Sequence, residues 1–234
     1  QRRRDISMTH DLVDRSNSVI SGNSPWIQQR IKSVYNEESE LLWPSVNLDV
    51  WKGDCPEPEM RVVAIGSASF VKGTMDTIDM LAGTDLVYHH VGGGSEEDLA
   101  ILRNHANRKE VDFVVEPRLS QEALVSLVKR SLAVVSLARN EPFGLTPIEA
   151  QAAGTPALMV DEGGYQHTVK DGVSGRLLPR GDWSTWHAAL EEAKDSDNRT
   201  AWSEAGQAQI AEMGLRPEDQ AETLRKIVSK LRDQ

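Results

Sequence analysis

The hydrophobic and polar positions of this chain form short apolar runs that alternate with amphipathic stretches. From residue 60 onward the runs predict strands, and the stretches between them carry the apolar spacing of helices. Strands that alternate with helices in this way are typical of a parallel sheet. The predicted strands are 61–66, 85–91, 111–115, 132–136 and 157–160. The predicted helices are 73–82, 96–108, 121–129, 147–153, 182–194, 200–213 and 217–231.

Capping residues support two of the helix predictions. Ser24 precedes a helix predicted over residues 25–35, and Ser95 with Asp98 forms a capping box before the helix at 96–108. The fold class that follows is α/β, with a doubly wound parallel sheet that is Rossmann-like. Two short strands are predicted upstream of the sheet, at 18–21 and 41–43.

Composition and charge exclude several classes of protein. The chain has 234 residues and a formal net charge of −10, which argues against a nucleic-acid partner because phosphate binding needs a basic face. The single cysteine, Cys55, cannot form an internal disulfide, so we expect a reducing, cytoplasmic compartment. No apolar run approaches the roughly 20 residues that span a bilayer. The chain lacks an initial methionine, so we expect a fragment or a processed chain.

The segment from residue 139 to residue 161 carries the candidate chemistry. It follows the strand predicted at 132–136, and in an open α/β sheet such a loop lies in the crevice at the carboxyl ends of the strands. Glu141 lies in this loop, and Glu149 lies in the helix after it. The start of that helix presents N–H groups without partners to an anion.

A structural role competes with ligand binding at Glu149. Thr146 as N-cap, Pro147 at the first helical position and Glu149 reaching back would form a capping box. On these residues alone, capping is favoured over ligand contact by roughly two to one. Glu141 precedes a proline in a loop and has no such explanation, whereas Gly144 also fits an ordinary turn. The spacing suggests a site without naming its ligand.

The two glutamates, the residues between them and the segment 150–156 resemble the donor-site signature of the retaining family-4 glycosyltransferases. The resemblance covers most of residues 40–234, and it implies the GT-B architecture of two facing Rossmann-like domains. This chain would hold the C-terminal, donor-binding half of that architecture. Further matching segments are 44–49, 62–66, 70–73, 161–164, 169–172 and 174–178.

The resemblance also implies how the chain is divided. Residues 1–52 would be the tail of the N-terminal, acceptor-side domain, and residues 53–59 a proline-bearing linker. Residues 60–213 would form the donor-binding domain. The last helix, within residues 214–234, would cross back onto the first domain.

By the same resemblance, the donor is a nucleoside-diphosphate sugar. Glu149 would hold the ribose diol, and Glu141 would hold the sugar hydroxyls beside the start of the helix at Thr146. Lys72 matches the lysine that binds the diphosphate, and Arg118 matches a position near the base, although a solvated loop arginine is equally favoured. Backbone N–H groups complete the sugar site, at Phe143, Gly144 and Leu145.

Two residues depart from the family pattern. Ser67 stands where the family usually has an arginine, and serine cannot make a bidentate charged contact. We expect donor binding to be weaker by roughly one to two orders of magnitude, unless Arg139 or Arg118 substitutes. His167 stands where the loop commonly carries an acid, which leaves the sugar preference open.

We therefore expect a retaining glycosyltransferase whose catalytic residues are Glu141 and Lys72, with a carbohydrate or lipid-linked acceptor, the latter at a membrane surface. No Asp-x-Asp motif stands beside the site, so we expect a metal-independent reaction without a cofactor. This chain alone is expected to bind donor weakly and to turn nothing over. The alternative is a non-catalytic nucleotide-sugar binding or scaffolding module, which the departures at Ser67 and His167 favour.

Overall fold

A computed structural model of the chain describes residues 2–13, 18–116 and 118–232. The helices, in chain order, are α1 (Arg2–Val13), α2 (Pro25–Tyr35), α3 (Thr74–Leu81), α4 (Glu96–Arg108), α5 (Gln121–Lys129), α6 (Leu145–Ala153), α7 (Tyr165–Thr168), α8 (Trp183–Glu192), α9 (Ser196–Met213) and α10 (Pro217–Arg232). The strands are β1 (Ser21–Gly22), β2 (Glu40–Leu41), β3 (Glu59–Ile65), β4 (Val87–Val91), β5 (Phe113–Glu116), β6 (Ser131–Ser136), β7 (Ala157–Val160) and β8 (Arg176–Leu178). A 3-10 helix covers Leu48–Trp51.

The described residues form two compact units. The larger unit is Leu48–Ile210, and the smaller one combines described residues of Gln1–Asn47 and Ala211–Gln234. The predicted division of the chain into an acceptor-side tail, a linker and a donor-binding domain stays a prediction.

The larger unit is built on a six-stranded sheet in the order β5-β4-β3-β6-β7-β8, and every neighbouring pair is parallel. The chain moves outward from β3 to β5 on one side and from β6 to β8 on the other. The order therefore reverses between β3 and β6, where a crevice opens at the carboxyl ends of the strands. This topology confirms the predicted α/β fold class with a doubly wound parallel sheet.

The core of the larger unit lies on both faces of the central strands. Every residue of β6 and β7 is buried, as expected for strands that helices cover on both sides. Trp186 on α8 and Ile78 on α3 are fully buried in the same unit. This rigid base fixes the positions from which the loops at the carboxyl ends extend.

The smaller unit joins the two ends of the chain. Ser24 caps α2 as predicted, because its Oγ accepts a hydrogen bond from the Ile27 N–H over 3.1 Å. Near α10, the Val46 N–H donates to the Leu215 carbonyl over 2.8 Å. The side-chain amide of Gln220 also donates to the Trp43 carbonyl over 2.9 Å. Helix α10 thus packs on the N-terminal segment.

Some element boundaries differ from the predictions. The strand predicted at 18–21 is only Ser21–Gly22, and the helix predicted from residue 200 begins at Ser196. Strand β8 and helices α1 and α7 were not predicted. Strand β8 has three residues at the edge of the sheet, and its pairing with β7 is a tertiary contact that its own pattern does not indicate.

Candidate functional site

Three loops follow the carboxyl ends of β3, β6 and β7 and are joined by backbone hydrogen bonds. The N–H of Arg139, after β6, donates to the carbonyl of Val71, after β3, over 2.7 Å. The N–H of Gly164, after β7, donates to the carbonyl of Glu141 over 2.7 Å. A site that draws residues from these loops therefore has a fixed shape.

Glycines allow the loops to approach one another closely. Gly73 has a φ of +69°, and a Cβ built there would lie 2.1 Å from the carbonyl oxygen of Leu137. Gly163 has a φ of +63°, and its Cβ would lie 2.6 Å from the carbonyl oxygen of Glu141. A side chain at either glycine would push the loops apart.

Lys72 and Glu141 form an ion pair across two of these loops. The Nζ of Lys72 lies 2.8 Å from Oε2 of Glu141, and the two side chains are 38% and 19% exposed. The stem of Lys72 passes beside Gly66, where an added Cβ would lie 3.4 Å from its Cγ and Cδ. The two predicted catalytic residues therefore lie together, and solvent reaches both.

Helix α6 begins at Leu145, two residues before the predicted start, and the predicted capping box is wrong. The N-cap is Gly144, with a φ of +90° and no side-chain capping bond. A Cβ on Gly144 would lie 2.6 Å from the ring of Tyr165, whose hydroxyl lies 2.6 Å from Ser136 Oγ. Glu149 consequently lies in the second turn, outside the position that a capping box requires.

Glu149 is a largely buried carboxyl group. Within the part of the chain that the structure describes, no residue gives it a hydrogen bond or an ion pair. Burial raises the pKa of Glu149 to about 7, because the charged form loses its hydration. A buried acid without a partner is unfavourable for stability, and such groups concentrate at functional sites. The carboxyl can accept hydrogen bonds from a pair of hydroxyl groups.

The start of α6 offers backbone donors beside the ion pair. The N–H groups of Gly144, Leu145 and Thr146 find no acceptor among the described residues, as is usual in the first turn of a helix. Phe143 is only 3% exposed and anchors the loop in the protein interior. The partial positive charge of the helix start favours an anion at this place.

Ser67 and Arg139 do not supply a free cation to the site. Ser67 is exposed after β3, and its hydroxyl lies 3.2 Å from that of Ser69. Arg139 is engaged by the protein itself, since its Nη2 lies 2.7 Å from Asp76 and its guanidinium carbon 4.0 Å from the ring centroid of Phe70. The expectation that Arg139 replaces the missing arginine therefore finds no support in its contacts.

Arg118 and His167 make no hydrogen bond to the Lys72–Glu141 pair within the described residues. Arg118 is exposed after β5, and His167 lies on α7, where burial lowers its pKa and keeps the ring neutral at pH 7. In the described ranges neither residue is hydrogen-bonded or ion-paired to Lys72 or Glu141. Their predicted roles stay predictions.

The adjacent histidines on β4 have partners within the sheet. His89 Nδ1 lies 3.1 Å from Glu116 Oε1, and His90 Nδ1 lies 3.3 Å from the Tyr88 hydroxyl. Burial lowers the pKa of both rings. Among the residues described, no group of three His, Cys, Asp or Glu side chains could hold a metal ion. Metal independence of the reaction stays a prediction.

A network of four charged residues, which no motif indicates, joins the same loops. Oδ2 of Asp76 lies 2.7 Å from Arg139 and 2.6 Å from Arg180. Arg180 also forms a bidentate pair with Glu162, at 2.8 and 2.9 Å. Asp76 and Arg180 are 104 positions apart in the sequence, so only the fold brings them together.

Residues 47–209 match the sequence model of the protein family described as Glycosyl transferases group 1. The chain belongs to this family. The matched range contains Lys72, Glu141 and Glu149, so the group 1 domain includes the loops of the candidate site.

Two curated relatives of this group 1 chain are D-inositol 3-phosphate glycosyltransferases. The chain is 36% identical over 126 residues to that of Thermobispora bispora, across 52% of this chain and 29% of the relative. It is 26% identical over 205 residues to that of Mycolicibacterium smegmatis, across 80% of this chain and 47% of the relative. The chain thus spans less than half the length of these two relatives.

Solved structures share the fold of the group 1 chain. A glycosyltransferase from Rickettsia africae gives a TM-score of 0.84 at 13% identity, covering 97% of this chain and 67% of that one. Anabaena Alr3699/HepE in complex with UDP-glucose gives a TM-score of 0.83 at 17% identity, covering 97% of this chain and 68% of that one. The unit built on the six-stranded sheet has the Rossmann-like fold of the C-terminal domain of GT-B glycosyltransferases. No helix within the described ranges is long and apolar enough to cross a membrane.

Proposed function

We propose that this group 1 chain binds a nucleoside-diphosphate sugar, and that the whole protein transfers the sugar to an acceptor with retention. The observation that carries the proposal is the ion pair of Lys72 and Glu141 at the carboxyl ends of β3 and β6, with Glu149 in the helix that follows. A partly exposed ammonium, a carboxylate beside it and a buried carboxyl in the next helix supply the groups that such a donor needs.

Each part of the donor has a proposed partner. The ribose diol donates to the carboxyl of Glu149, which has the capacity for two hydrogen bonds. The diphosphate lies against Lys72 and the start of α6, and the sugar hydroxyls bind Glu141 and the N–H groups of residues 143–145. Thr146 continues this row of donors. Hydrogen bonds to the charged Glu141 each contribute about 1.5–3 kcal/mol. Arg118 is the proposed neighbour of the base.

The reaction breaks the bond between the anomeric carbon and the β-phosphate oxygen. The acceptor oxygen bonds to the anomeric carbon on the same face, and its proton passes to the departing diphosphate. No protein nucleophile is required, so the main task of the protein is to stabilise the charge of the leaving group. Lys72 and the N-terminus of α6 perform this task. Retention follows from the resemblance to the retaining family-4 enzymes.

The names of related proteins suggest which donor and acceptor to test first. Structures of Anabaena Alr3699/HepE hold UDP and UDP-glucose, which makes uridine the first base to try. The curated relatives are named for D-inositol 3-phosphate, so a phosphorylated polyol is the first acceptor to try with the full-length protein. The proposed site of action is the cytoplasm.

A non-catalytic nucleotide-sugar binding module is the second candidate function. Its support is the departure at His167 and that at Ser67, which is exposed and offers no cation where the family that the sequence resembles usually has an arginine. Such a module would bind the donor at the same place, so binding alone does not separate the two candidates. Sugar transfer by the full-length protein would distinguish the enzyme from the binding module.

The experiment is ligand-observed NMR of this chain with UDP, GDP and ADP and their common sugar conjugates. We expect selective binding to one nucleotide, and loss of that binding in both Glu149→Ala and Lys72→Ala. The matched controls are Glu204→Ala and Lys226→Ala, which change exposed residues outside the site. Binding that survives both site variants, or that fails with every nucleotide, would contradict the proposal for this chain.

A further inference from the structure

Arg139 contacts the two residues that precede Lys72. Its N–H donates to the carbonyl of Val71 over 2.7 Å, and its Nη1 donates to the carbonyl of Phe70 over 2.9 Å. Its guanidinium carbon also lies 4.0 Å from the centroid of the Phe70 ring, which is cation–π stacking. The backbone and the side chain of one arginine thus hold the turn from which Lys72 extends.

The guanidinium of Arg139 is itself held by an ion network. Its Nη2 pairs with Asp76 over 2.7 Å, and the same carboxylate oxygen pairs with Arg180 over 2.6 Å. Arg180 donates to the carbonyl of Leu137 over 2.9 Å and forms a bidentate pair with Glu162. These side chains are only partly exposed, so their ion pairs are screened less than those on an open surface.

The position of Arg139 links it to both members of the catalytic ion pair. Glu141 follows two residues after Arg139, and Lys72 follows directly after Val71. A substitution of the arginine keeps the backbone bond from residue 139 to the Val71 carbonyl, but it removes the side-chain bond to the Phe70 carbonyl and the stacking on the Phe70 ring. The distance between Lys72 and Glu141 therefore depends on the contacts of Arg139.

We propose that Arg139 is a positioning residue for Lys72 and that it acts on the donor diphosphate only through that lysine. This inference rests on the proposed function, in which Lys72 binds the diphosphate. It gives Arg139 a different role from the substitute cation that the sequence suggests, because Asp76 and the Phe70 ring already engage its guanidinium.

The first test needs no ligand. Lys72 is labelled by reductive methylation with limiting formaldehyde, and its modification is compared by peptide mass spectrometry with that of Lys226 in the same sample. Glu141→Gln sets the value for Lys72 without its partner. We expect Arg139→Gln to raise Lys72 labelling to this value, about two- to fivefold above wild type, the range set by a partly exposed ion pair. Wild-type labelling in Arg139→Gln would overturn the proposal.

Arg139→Lys is the conservative variant. It keeps one positive charge near Asp76 but lacks the planar fork that binds Phe70 and Asp76 together. In Arg139→Lys we expect the labelling of Lys72 to lie between the wild-type value and the value in Arg139→Gln. If thermal melts show that Arg139→Gln is unfolded at the assay temperature, Arg139→Lys takes its place, and wild-type labelling in that variant would again overturn the proposal.

The second test is a double-mutant cycle on nucleoside-diphosphate affinity with Arg139→Gln and Lys72→Met. If Arg139 acts through Lys72, the two effects are not additive, and Arg139→Gln changes the affinity of Lys72→Met by less than about twofold. Additive effects would show that the arginine binds the diphosphate itself and would overturn the proposal. If wild type binds no nucleoside diphosphate, the proposed function fails, whereas the labelling comparison still decides the role of Arg139.

Discussion

The Nζ of Lys72 lies 2.8 Å from Oε2 of Glu141, although 69 positions separate the two residues in the sequence. In the absence of a ligand, the lysine proposed to bind phosphate is thus paired with the carboxylate proposed to bind sugar. A donor diphosphate has to compete with Glu141 for the lysine. The sugar hydroxyls, in turn, bind Glu141 and offset that competition.

This competition predicts opposite effects of Glu141→Gln on two ligands. We expect the variant to bind the free nucleoside diphosphate about two- to fivefold more tightly, because Lys72 is released from a partly exposed ion pair. We expect it to lose roughly tenfold in affinity for the nucleotide sugar relative to the diphosphate, because a charged acceptor of hydrogen bonds is removed. Calorimetric titrations measure both affinities. Glu122→Gln, on the exposed face of α5, is the control, and equal changes for the two ligands would contradict the assignment of Glu141.

Ser67 offers a test by restoration. We expect Ser67→Arg to raise the affinity for the nucleoside diphosphate by about tenfold, since arginine makes the charged contact that serine cannot. Ser69→Arg is the matched control, because it adds the same charge 3.2 Å away, measured between the native hydroxyls. Titration of both variants at two salt concentrations checks the result. Equal gains in the two variants would indicate an unspecific charge effect.

Glu149 makes the stability of the protein depend on pH. Burial raises its pKa from 4.5 to about 7, so the folded state binds the proton more tightly and stability falls as the pH rises through this range. Glu149→Gln removes the effect. We expect the free energy of unfolding of this variant, relative to wild type, to be about 2–3 kcal/mol higher at pH 8 than at pH 5. Urea unfolding at both pH values measures this, with Glu204→Gln as control. If the unfolding free energies of Glu149→Gln and wild type differ by the same amount at both pH values, ionisation of Glu149 does not cause the pH dependence.

Any side chain at Gly144 is expected to destabilise the protein, because of the positive φ and because of the nearby ring of Tyr165. A control glycine separates the two effects. The φ of Gly144 is +90°, and a Cβ would lie 2.6 Å from the ring of Tyr165. Gly181 has a φ of +85° with nothing within 4 Å of its Cβ position. We expect Gly181→Ala to lose about 1 kcal/mol of unfolding free energy and Gly144→Ala about 2–4 kcal/mol. Similar losses in thermal or urea unfolding would show that the tyrosine ring yields to the added methyl group.

The sheet could be predicted because its strands carry their own signals. The strand at residues 157–160 and the helices at 96–108 and 121–129 have the predicted bounds, since buried apolar runs and capping serines act locally. Helix α1 begins with basic residues rather than an apolar pattern, so its sequence does not predict it. The order of the six strands is not predicted from the sequence, because alternation of strands and helices fits more than one doubly wound order.

The candidate site could be predicted only where a motif was present. Lys72, Glu141 and Glu149 belong to motifs, whereas Asp76, Arg139 and Arg180 meet through the fold alone. The start of α6 was predicted wrongly because Thr146 and Pro147 give a local capping signal, and the contact of Gly144 with Tyr165 overrides it.

The most direct measurement is chemical-shift mapping on the 15N-labelled chain with the nucleoside diphosphate that binds. We expect the largest shifts at the amides of Gly144, Leu145 and Thr146, at the start of α6, and smaller ones in the turn at Lys72. The nucleoside alone should leave the turn at Lys72 unchanged. Shifts concentrated instead around Arg199, which lines a separate cavity of about 390 Å³, would contradict a donor site at the carboxyl ends of β3 and β6.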